Sequence, residues 1–290
     1  MCDNNLPIGV FDSGFGGLTV AREIFRNLPN EKIIYYGDTA RVPYGNKSQD
    51  TVIRYSKQIS RFLISKGVKA IVIACNTASA LALDAVQASC SIPVIGVVKP
   101  GADAAVRASA SGRIGIIGTS GTIASGLYDR YIKELLPSAQ VFGKACPLFV
   151  HLVEEGMIDD SVTVEMIHRY LDGMISRDNI DTLILGCTHY PLLRSVIARE
   201  IGGVYADFTD NASDSSPCSR SGHPITLVNP AYTTAKALAG LLNEKGLASD
   251  IPVSPHDHEF FCSDGPDNFR SFASEVLNMQ IDRVHLKVLE

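Results

Sequence analysis

Several common signatures are missing from this chain, and each absence removes a class of function. It contains no CxxC pair and no His/Cys cluster at structural-zinc spacing, so nothing points to a dithiol motif or a zinc fold. No GxGxxG occurs, so no dinucleotide fingerprint is present. The most apolar stretch, Ala70 to Val86, is broken by Asn76, Thr77 and Asp84, so it is not a membrane span. The start Met1-Cys-Asp-Asn-Asn-Leu6 lacks a basic segment followed by an apolar run, so no secretory signal is expected. Basic patches are also missing. Lys plus Arg total 26 against 31 Asp plus Glu, a formal charge of −5. Neither a nucleic acid nor a membrane surface is therefore an expected partner.

What is present fits a globular chain of 290 residues, long enough for two domains. Seven cysteines, at 2, 75, 90, 146, 187, 218 and 262, form an odd and irregular set. Together with the missing signal, that set suggests reduced thiols in a cytoplasm.

Strand and helix patterns alternate along the chain. Ile8-Gly-Val-Phe-Asp12 reads as a strand, Ser13 to Gly17 as a loop, and Leu18, Ala21, Ile24, Phe25 and Leu28 as one helix face. Residues 32–36 form a second strand, followed by a polar loop from Gly37 to Asn46. Ser48 is a candidate cap for a helix showing Val52, Ile59, Phe62 and Leu63. Strands at 69–74 and 92–97 flank another helix. The cycle restarts with a strand at 113–118, a loop at 119–122, a helix from Ile123 to Leu136 and a strand at 140–145. A helix over 161–176 leads to a strand over 182–185. Later segments read as a strand (225–228), a helix (232–243), a strand (259–262), a helix (266–277) and a strand (283–286). The polar, Ser-rich stretch 208–224 reads as a surface insertion. Such alternation implies βαβ units and parallel sheets.

The two halves resemble one another. Gly9-Val-Phe-Asp12-Ser13-Gly14 matches Gly115-Ile-Ile-Gly118-Thr119-Ser120-Gly121, and Ala74-Cys75-Asn76-Thr77 matches Gly186-Cys187-Thr188-His189. Each of Cys75 and Cys187 follows a short apolar run and precedes small polar residues. Both thiols then lie at the C-terminal tip of a buried parallel strand, where open α/β sheets hold ligands. The expected fold is α/β: two pseudo-symmetric α/β domains with mainly parallel sheets, and the active site in the cleft between them. The expected domains are 1–98 plus about 208–290, and 99–207.

A thiol at a helix N-terminus can act as base, nucleophile or redox partner. Cys90 and Cys146 read as small buried hydrophobes, and Cys218 and Cys262 as incidental. Asp12 and Ser13 read either as a helix cap or as a carboxylate and hydroxyl beside Cys75. Gly14, Gly16 and Gly17 leave backbone N–H groups open to an anion. Tyr44 and Gly45 follow Pro43 as a turn with a packed ring, or as part of a site. Thr119 and Thr122 are caps or carboxylate donors. His189 lies two residues past Cys187, and a carboxylate from Glu154 or Glu155 would fix its tautomer and raise its pKa.

Together these segments resemble the glutamate racemases of the aspartate/glutamate racemase superfamily. The resemblance is carried by Gly9-Val-Phe-Asp-Ser-Gly-Phe-Gly-Gly-Leu-Thr-Val20, Tyr36-Gly-Asp-Thr-Ala-Arg-Val-Pro-Tyr-Gly45, Ala74-Cys-Asn-Thr-Ala-Ser79, Pro93-Val-Ile-Gly-Val97, Gly118-Thr-Ser-Gly-Thr122, Cys146-Pro-Leu-Phe-Val150 with Leu152-Val-Glu-Glu-Gly156, and Leu185-Gly-Cys-Thr-His-Tyr-Pro-Leu-Leu193. They run in order across about the first 200 residues. The resemblance implies a cofactor-independent isomerase that supplies D-glutamate for peptidoglycan, with no metal and no pyridoxal phosphate. It implies Cys75 and Cys187 as the acid/base pair, with Asp12 assisting Cys75, and Glu154 and His189 assisting Cys187. It implies a substrate shell of Asp12, Ser13, Tyr44, Gly45, Asn76, Thr77, Thr188 and His189, with Thr119 and Thr122 nearby. Glutamate is then the small-molecule partner, and a homodimer is compatible with the pattern.

The chain departs from the family at His151, where proline is usual, which is expected to change a turn beside Glu154. The 208–224 stretch is longer than usual, and Val228-Asn229-Pro230 replaces an acidic or Ser-containing segment, so no residue after His189 is carried over. The long N-terminal extension of members regulated by a cell-wall precursor is not seen, and that regulation is not expected. Three rivals share the features. A racemase for aspartate or a related acid would keep the cysteine pair. A thiol oxidoreductase would use the same cysteines without a CxxC. A binding or regulatory protein would keep the fold without catalysis.

Overall fold

Five residues with no solvent-facing side begin the first sheet. β1 (Ile8–Asp12) is buried along its whole length, so both faces need cover, which helices flanking a parallel sheet provide. The structure, a computed structural model, describes residues 4–205 and 224–290. Most of the Ser-rich stretch, together with Cys2 and Cys218, lies outside the described residues. The chain divides into two compact units, Met1–Val97 with Ala231–Glu290, and Val98–Pro230.

The first unit continues with α1 (Leu18–Asn27), β2 (Ile33–Gly37), α2 (Gln49–Ser65), β3 (Ala70–Ile73), α3 (Asn76–Gln87) and β4 (Val94–Gly96). Ser48 caps α2 by accepting the Thr51 N–H at 3.4 Å. β3 carries Ile71, Val72 and Ile73, all fully buried. Each such side chain stabilises the fold by about 1.5–3 kcal/mol, which makes the strand that presents Cys75 rigid.

The second unit holds α4 (Val98–Ala108), β5 (Arg113–Gly118), α5 (Ser120–Ala124), α6 (Leu127–Leu135), β6 (Gln140–Ala145), α7 (Leu148–Glu154), α8 (Ser161–Ser176), β7 (Thr182–Gly186), α9 (Arg194–Ile201), β8 (Gly203–Tyr205) and β9 (Ile225–Val228). The expected helix from Ile123 to Leu136 is two helices. Gly126 sits between them at φ +63°, a left-handed conformation that ends one helix and admits the next. The expected loop 119–122 is already the first turn of α5, capped by Thr119.

The chain then returns to the first unit with α10 (Pro230–Glu244), β10 (Glu259–Cys262), α11 (Pro266–Leu277) and β11 (His285–Leu286). The first sheet has the order β11-β10-β2-β1-β3-β4, and the second β6-β5-β7-β9-β8. Every described strand pairing is parallel. The shared core of both orders is a second strand, a first strand, a cysteine-bearing strand and a fourth: β2-β1-β3-β4 against β6-β5-β7-β9. Repetition in sequence is thus repetition in topology. One boundary differs from the expected one. Residues 225–228, grouped with the first domain on sequence, pair with β7 in the second sheet, as Thr182 opposite Thr226.

Candidate active site

In the first unit, three loops at the C-terminal ends of β1, β2 and β3 gather the expected residues. The Asp12 carboxylate ends β1 fully buried and accepts the Gly14 N–H at 2.9 Å. Its room comes from Gly17: a Cβ there would lie 2.4 Å from the Asp12 Cβ and 2.7 Å from the Tyr35 hydroxyl. The Tyr35 hydroxyl donates to the Gly14 carbonyl at 3.2 Å. Burial, then the charges of Asp12 and Cys75, push its pKa well above the ordinary value, so it stays a neutral donor.

Cys75 is the cap of α3. Its Sγ accepts the Ala78 N–H at 3.4 Å and faces the Ser13 hydroxyl at 3.5 Å. The positive end of a helix dipole therefore points at the sulfur. Asn76 and Thr77, the first residues of that helix, are buried beside it. Tyr44 and Gly45 are the buried residues of a single 3₁₀ turn, Tyr44–Asn46, just after the cis Val42–Pro43 bond. The Tyr44 ring belongs to the same apolar cluster as Cys75 and Phe11. Its hydroxyl donates to Asp38 in a short contact.

The second unit repeats the plan with different chemistry. Thr119 follows β5, accepts the Thr122 N–H at 3.2 Å and shares a 3.0 Å hydroxyl contact with Thr122. Cys187, Thr188 and His189 follow β7, all buried. The His189 ring spans two acidic partners: Nδ1 lies 3.8 Å from Cys187 Sγ and Nε2 lies 3.1 Å from Glu154 Oε1. Burial pulls its pKa down, but the bonds to Cys187 and Glu154, then their charges, outweigh this and push it up to about 10. At neutral pH the ring is an imidazolium donating from both nitrogens, so a positive charge faces the Cys187 sulfur.

His151 does not disturb this end. It lies inside α7 and its carbonyl accepts the Glu155 N–H at 2.9 Å, as a helical residue does. The expected altered turn is therefore absent, and the last residue of the helix, Glu154, reaches His189.

The thirteen residues singled out from the sequence fall in two groups, most of them at strand tips or the helix starts beside them, with Tyr44 and Gly45 in a 3₁₀ turn and Glu154 at the end of α7. Asp12, Ser13, Tyr44, Gly45, Cys75, Asn76 and Thr77 belong to the first unit. Thr119, Thr122, Glu154, Cys187, Thr188 and His189 belong to the second. Cys146 is fully buried in the apolar cluster around Cys187, and burial pushes its thiol pKa up. Cys262 is buried and Cys90 half-buried. The sequence reading passed over Asp38, a fully buried carboxylate in the Tyr44 loop. Among the described residues, no three His, Cys, Asp or Glu side chains are grouped to hold a metal ion. No described helix is long and apolar enough to cross a membrane.

The chain matches the Asp/Glu/Hydantoin racemase family over residues 8–212. It is 45% identical to a glutamate racemase of Geobacter metallireducens over 284 residues, covering 98% of this chain and 97% of that one. A glutamate racemase of Streptococcus equi subsp. equi is 41% identical, over 98% of this chain and 99% of the relative. Among solved structures, a glutamate racemase isoform from Bacillus anthracis superposes with a TM-score of 0.86 at 38% identity, covering 99% of this chain and 98% of that one. The glutamate racemase of Francisella tularensis in complex with D-glutamate gives 0.83 at 36% identity, with the same coverage. An aspartate racemase of Picrophilus torridus shares the fold alone, at 15% identity and a TM-score of 0.52. With the family matched over most of the chain and relatives matched end to end, this protein belongs to the glutamate racemases, isomerases of the Asp/Glu racemase family.

Proposed function

We propose that this chain interconverts L-glutamate and D-glutamate by a two-base mechanism without a cofactor, with Cys75 and Cys187 acting on opposite faces of the α-carbon. The observation that carries the reading is the equivalence of the two thiols. Each follows the strand that pairs with the first strand of its own unit, β3 beside β1 and β7 beside β5.

In the proposed step one cysteine enters as thiolate and takes the α-hydrogen as a proton. The C–H electron pair stays on the substrate as enolate-like charge. The S–H proton of the other cysteine then forms the new C–H bond on the opposite face. One thiol and one thiolate remain, with their roles exchanged. Transfer by a positioned acid or base contributes about 10²–10⁴-fold, so the rest must come from stabilising the developing charge. Asn76, Thr77, Thr119, Thr122 and Thr188, with the backbone N–H groups after Gly14, supply donors for the substrate carboxylates. His189 and Glu154 assist Cys187, and Asp12 assists Cys75.

D-Glutamate made this way in a cytoplasm would feed peptidoglycan synthesis. A homodimer is the proposed assembly, read by sedimentation of the full chain. The substrate assignment draws on relatives at 41–45% identity over nearly the whole chain, and on neighbours bound to D-glutamate and to L-glutamate.

Circular dichroism of L-glutamate with the protein alone tests the activity. Decay of the signal to zero is expected, with aspartate giving no change. In deuterated water the product should carry deuterium at the α-carbon. Near-normal turnover by Cys75→Ala would sink the two-base step.

A further inference from the structure

A buried carboxylate is costly unless donors surround it, and Asp38 is fully buried. Four donor contacts converge on it. Arg41 Nε reaches Oδ1 at 3.0 Å and Oδ2 at 2.7 Å, Ser263 Oγ donates to Oδ1 at 2.9 Å, and the Tyr44 hydroxyl donates to Oδ2. Three of these contacts come from the loop that carries Tyr44. The fourth comes from beyond β10, more than two hundred positions along the chain.

The same distant segment fastens the loop elsewhere. The Ala40 N–H donates to Ser263 Oγ at 2.8 Å, and the Ser263 N–H donates to the Gly37 carbonyl at 3.1 Å. Thr39 Oγ1 donates to the Asp264 carbonyl at 2.5 Å and accepts the Asp264 N–H at 2.8 Å. Arg41 is itself braced. Its Nη1 donates to Gln58 at 2.7 Å, and its guanidinium lies 4.0 Å from the centre of the Tyr55 ring, which packs against Tyr44. The residues on this loop with a proposed role toward substrate are Tyr44 and Gly45. A network this dense, ending on the Tyr44 hydroxyl, fixes where those two residues sit.

We propose that Ser263 is a positioning residue for substrate binding: it orients Asp38, and through Asp38 it sets the Tyr44 hydroxyl and the Tyr44–Gly45 turn. The proposal rests on the glutamate reading given above for what the turn binds. Ser263 touches no reacting atom in this scheme. Its hydroxyl accepts a hydrogen bond from the Ala40 N–H and donates one to Asp38, so removing it strips the buried carboxylate of one of the two donors on Oδ1, leaving Arg41 Nε, and frees the Ala40 N–H from the loop's tether. A hydrogen bond to a charged group contributes about 1.5–3 kcal/mol, and a neutral one about 1. Most of that loss falls on the loop, because β2 and β10 stay paired through their own backbones.

The test is a double-mutant cycle combined with hydrogen exchange. Ser263→Ala should raise KM for glutamate by about 10–100-fold and leave kcat within about 2-fold, the size of one lost bond to a buried charge. In a Tyr44→Phe background the same substitution should change KM by less than about 2-fold, because the hydroxyl it positions is gone. Hydrogen exchange read by mass spectrometry should show residues 38–46 exchanging at least about 10-fold faster in Ser263→Ala, with β1 and β3 unchanged. If Ser263→Ala folds poorly, Ser263→Cys, which keeps a weak donor, should show the same effects at smaller size. Additive KM changes in the cycle would overturn the proposal, and so would unchanged exchange over 38–46. If the wild-type protein racemises no glutamate, the functional reading falls, and the exchange measurement alone decides whether Ser263 holds this loop.

Discussion

Replacing Glu154 with Gln isolates one charge beside His189. Glu154→Gln keeps the shape and an oxygen that can accept from Nε2 at 3.1 Å, but removes the negative charge. Two unit charges about 4 Å apart interact by roughly 4 kcal/mol at an effective dielectric near 20. The Glu154 side chain is 25% exposed and that of His189 only 4%, so solvent weakens the pair and about 1.5–3 kcal/mol is a fair expectation. At 1.36 kcal/mol per unit this is about 1–2 pKa units. His189, pushed up to about 10 in the native chain, should then titrate about 1–2 units lower in the variant.

The sign follows from linkage. A group whose folded pKa is raised stabilises the fold fully below its unfolded pKa, about 6.5 for His, and that stability fades as pH rises through the folded value. The alkaline loss of stability should therefore start near pH 6.5 in both proteins but be smaller in Glu154→Gln and complete about 1–2 units earlier. Selectively labelled histidine followed by NMR reads the pKa, and urea unfolding between pH 7 and about 11 reads the stability. Racemisation at pH 8 should fall by about 10-fold or more, within the range of one acid/base assist. An unmoved titration and an unmoved alkaline limb would refute the assignment of Glu154 as the partner that raises His189.

Two further substitutions probe the frame. Lys69 and Glu31 form an ion pair at 2.5 Å with both side chains 2% exposed, so Lys69→Met should leave a buried carboxylate and lower stability by about 3–5 kcal/mol in urea unfolding. A loss below about 1 kcal/mol would mean that water or the chain relieves the charge. Gly17→Ala would put a methyl group 2.4 Å from the Asp12 Cβ. It should cut kcat by about 10-fold or more through displacement of Asp12, on the scale of a misplaced catalytic group. Native activity in that variant would count against any role for the Asp12 carboxylate.

Much of this architecture is legible in the sequence because its physics is local. The strands at 8–12, 113–118 and 182–186 are buried on both faces except at Arg113, so between their polar ends they read as apolar runs. The helices at 161–176 and 266–277 announce their starts, with an Asp160 cap and Pro266 in the first turn. Other elements hide. The helix over 98–108 opens on Val-Lys-Pro-Gly, which looks like a turn, although proline is tolerated in a first helical turn. Gly126 lies inside the run expected as one helix from Ile123 to Leu136 and is where that run breaks. The candidate residues beside Cys75 and Cys187 were picked out because two copies of one short pattern mark two strand tips. Ser263 was not, because its role depends on a pairing with residues far away in the chain, which no local pattern encodes. The domain boundary at 225–228 was missed for the same reason.

The division of the chain has a consequence for its birth on the ribosome. The second unit is one continuous segment, whereas the first must wait for residues beyond Ala231 to be complete. Until Glu259–Cys262 emerge, the outer edge of β2, with its Ile-Ile-Tyr-Tyr run, has no neighbour. At about 5–20 residues per second that interval is on the order of 10 seconds. An apolar strand edge left open for that long is a template for wrong pairing. The nascent first unit is thus the part of the protein most in need of a chaperone, and pulse proteolysis of stalled chains should find the inserted unit protected first.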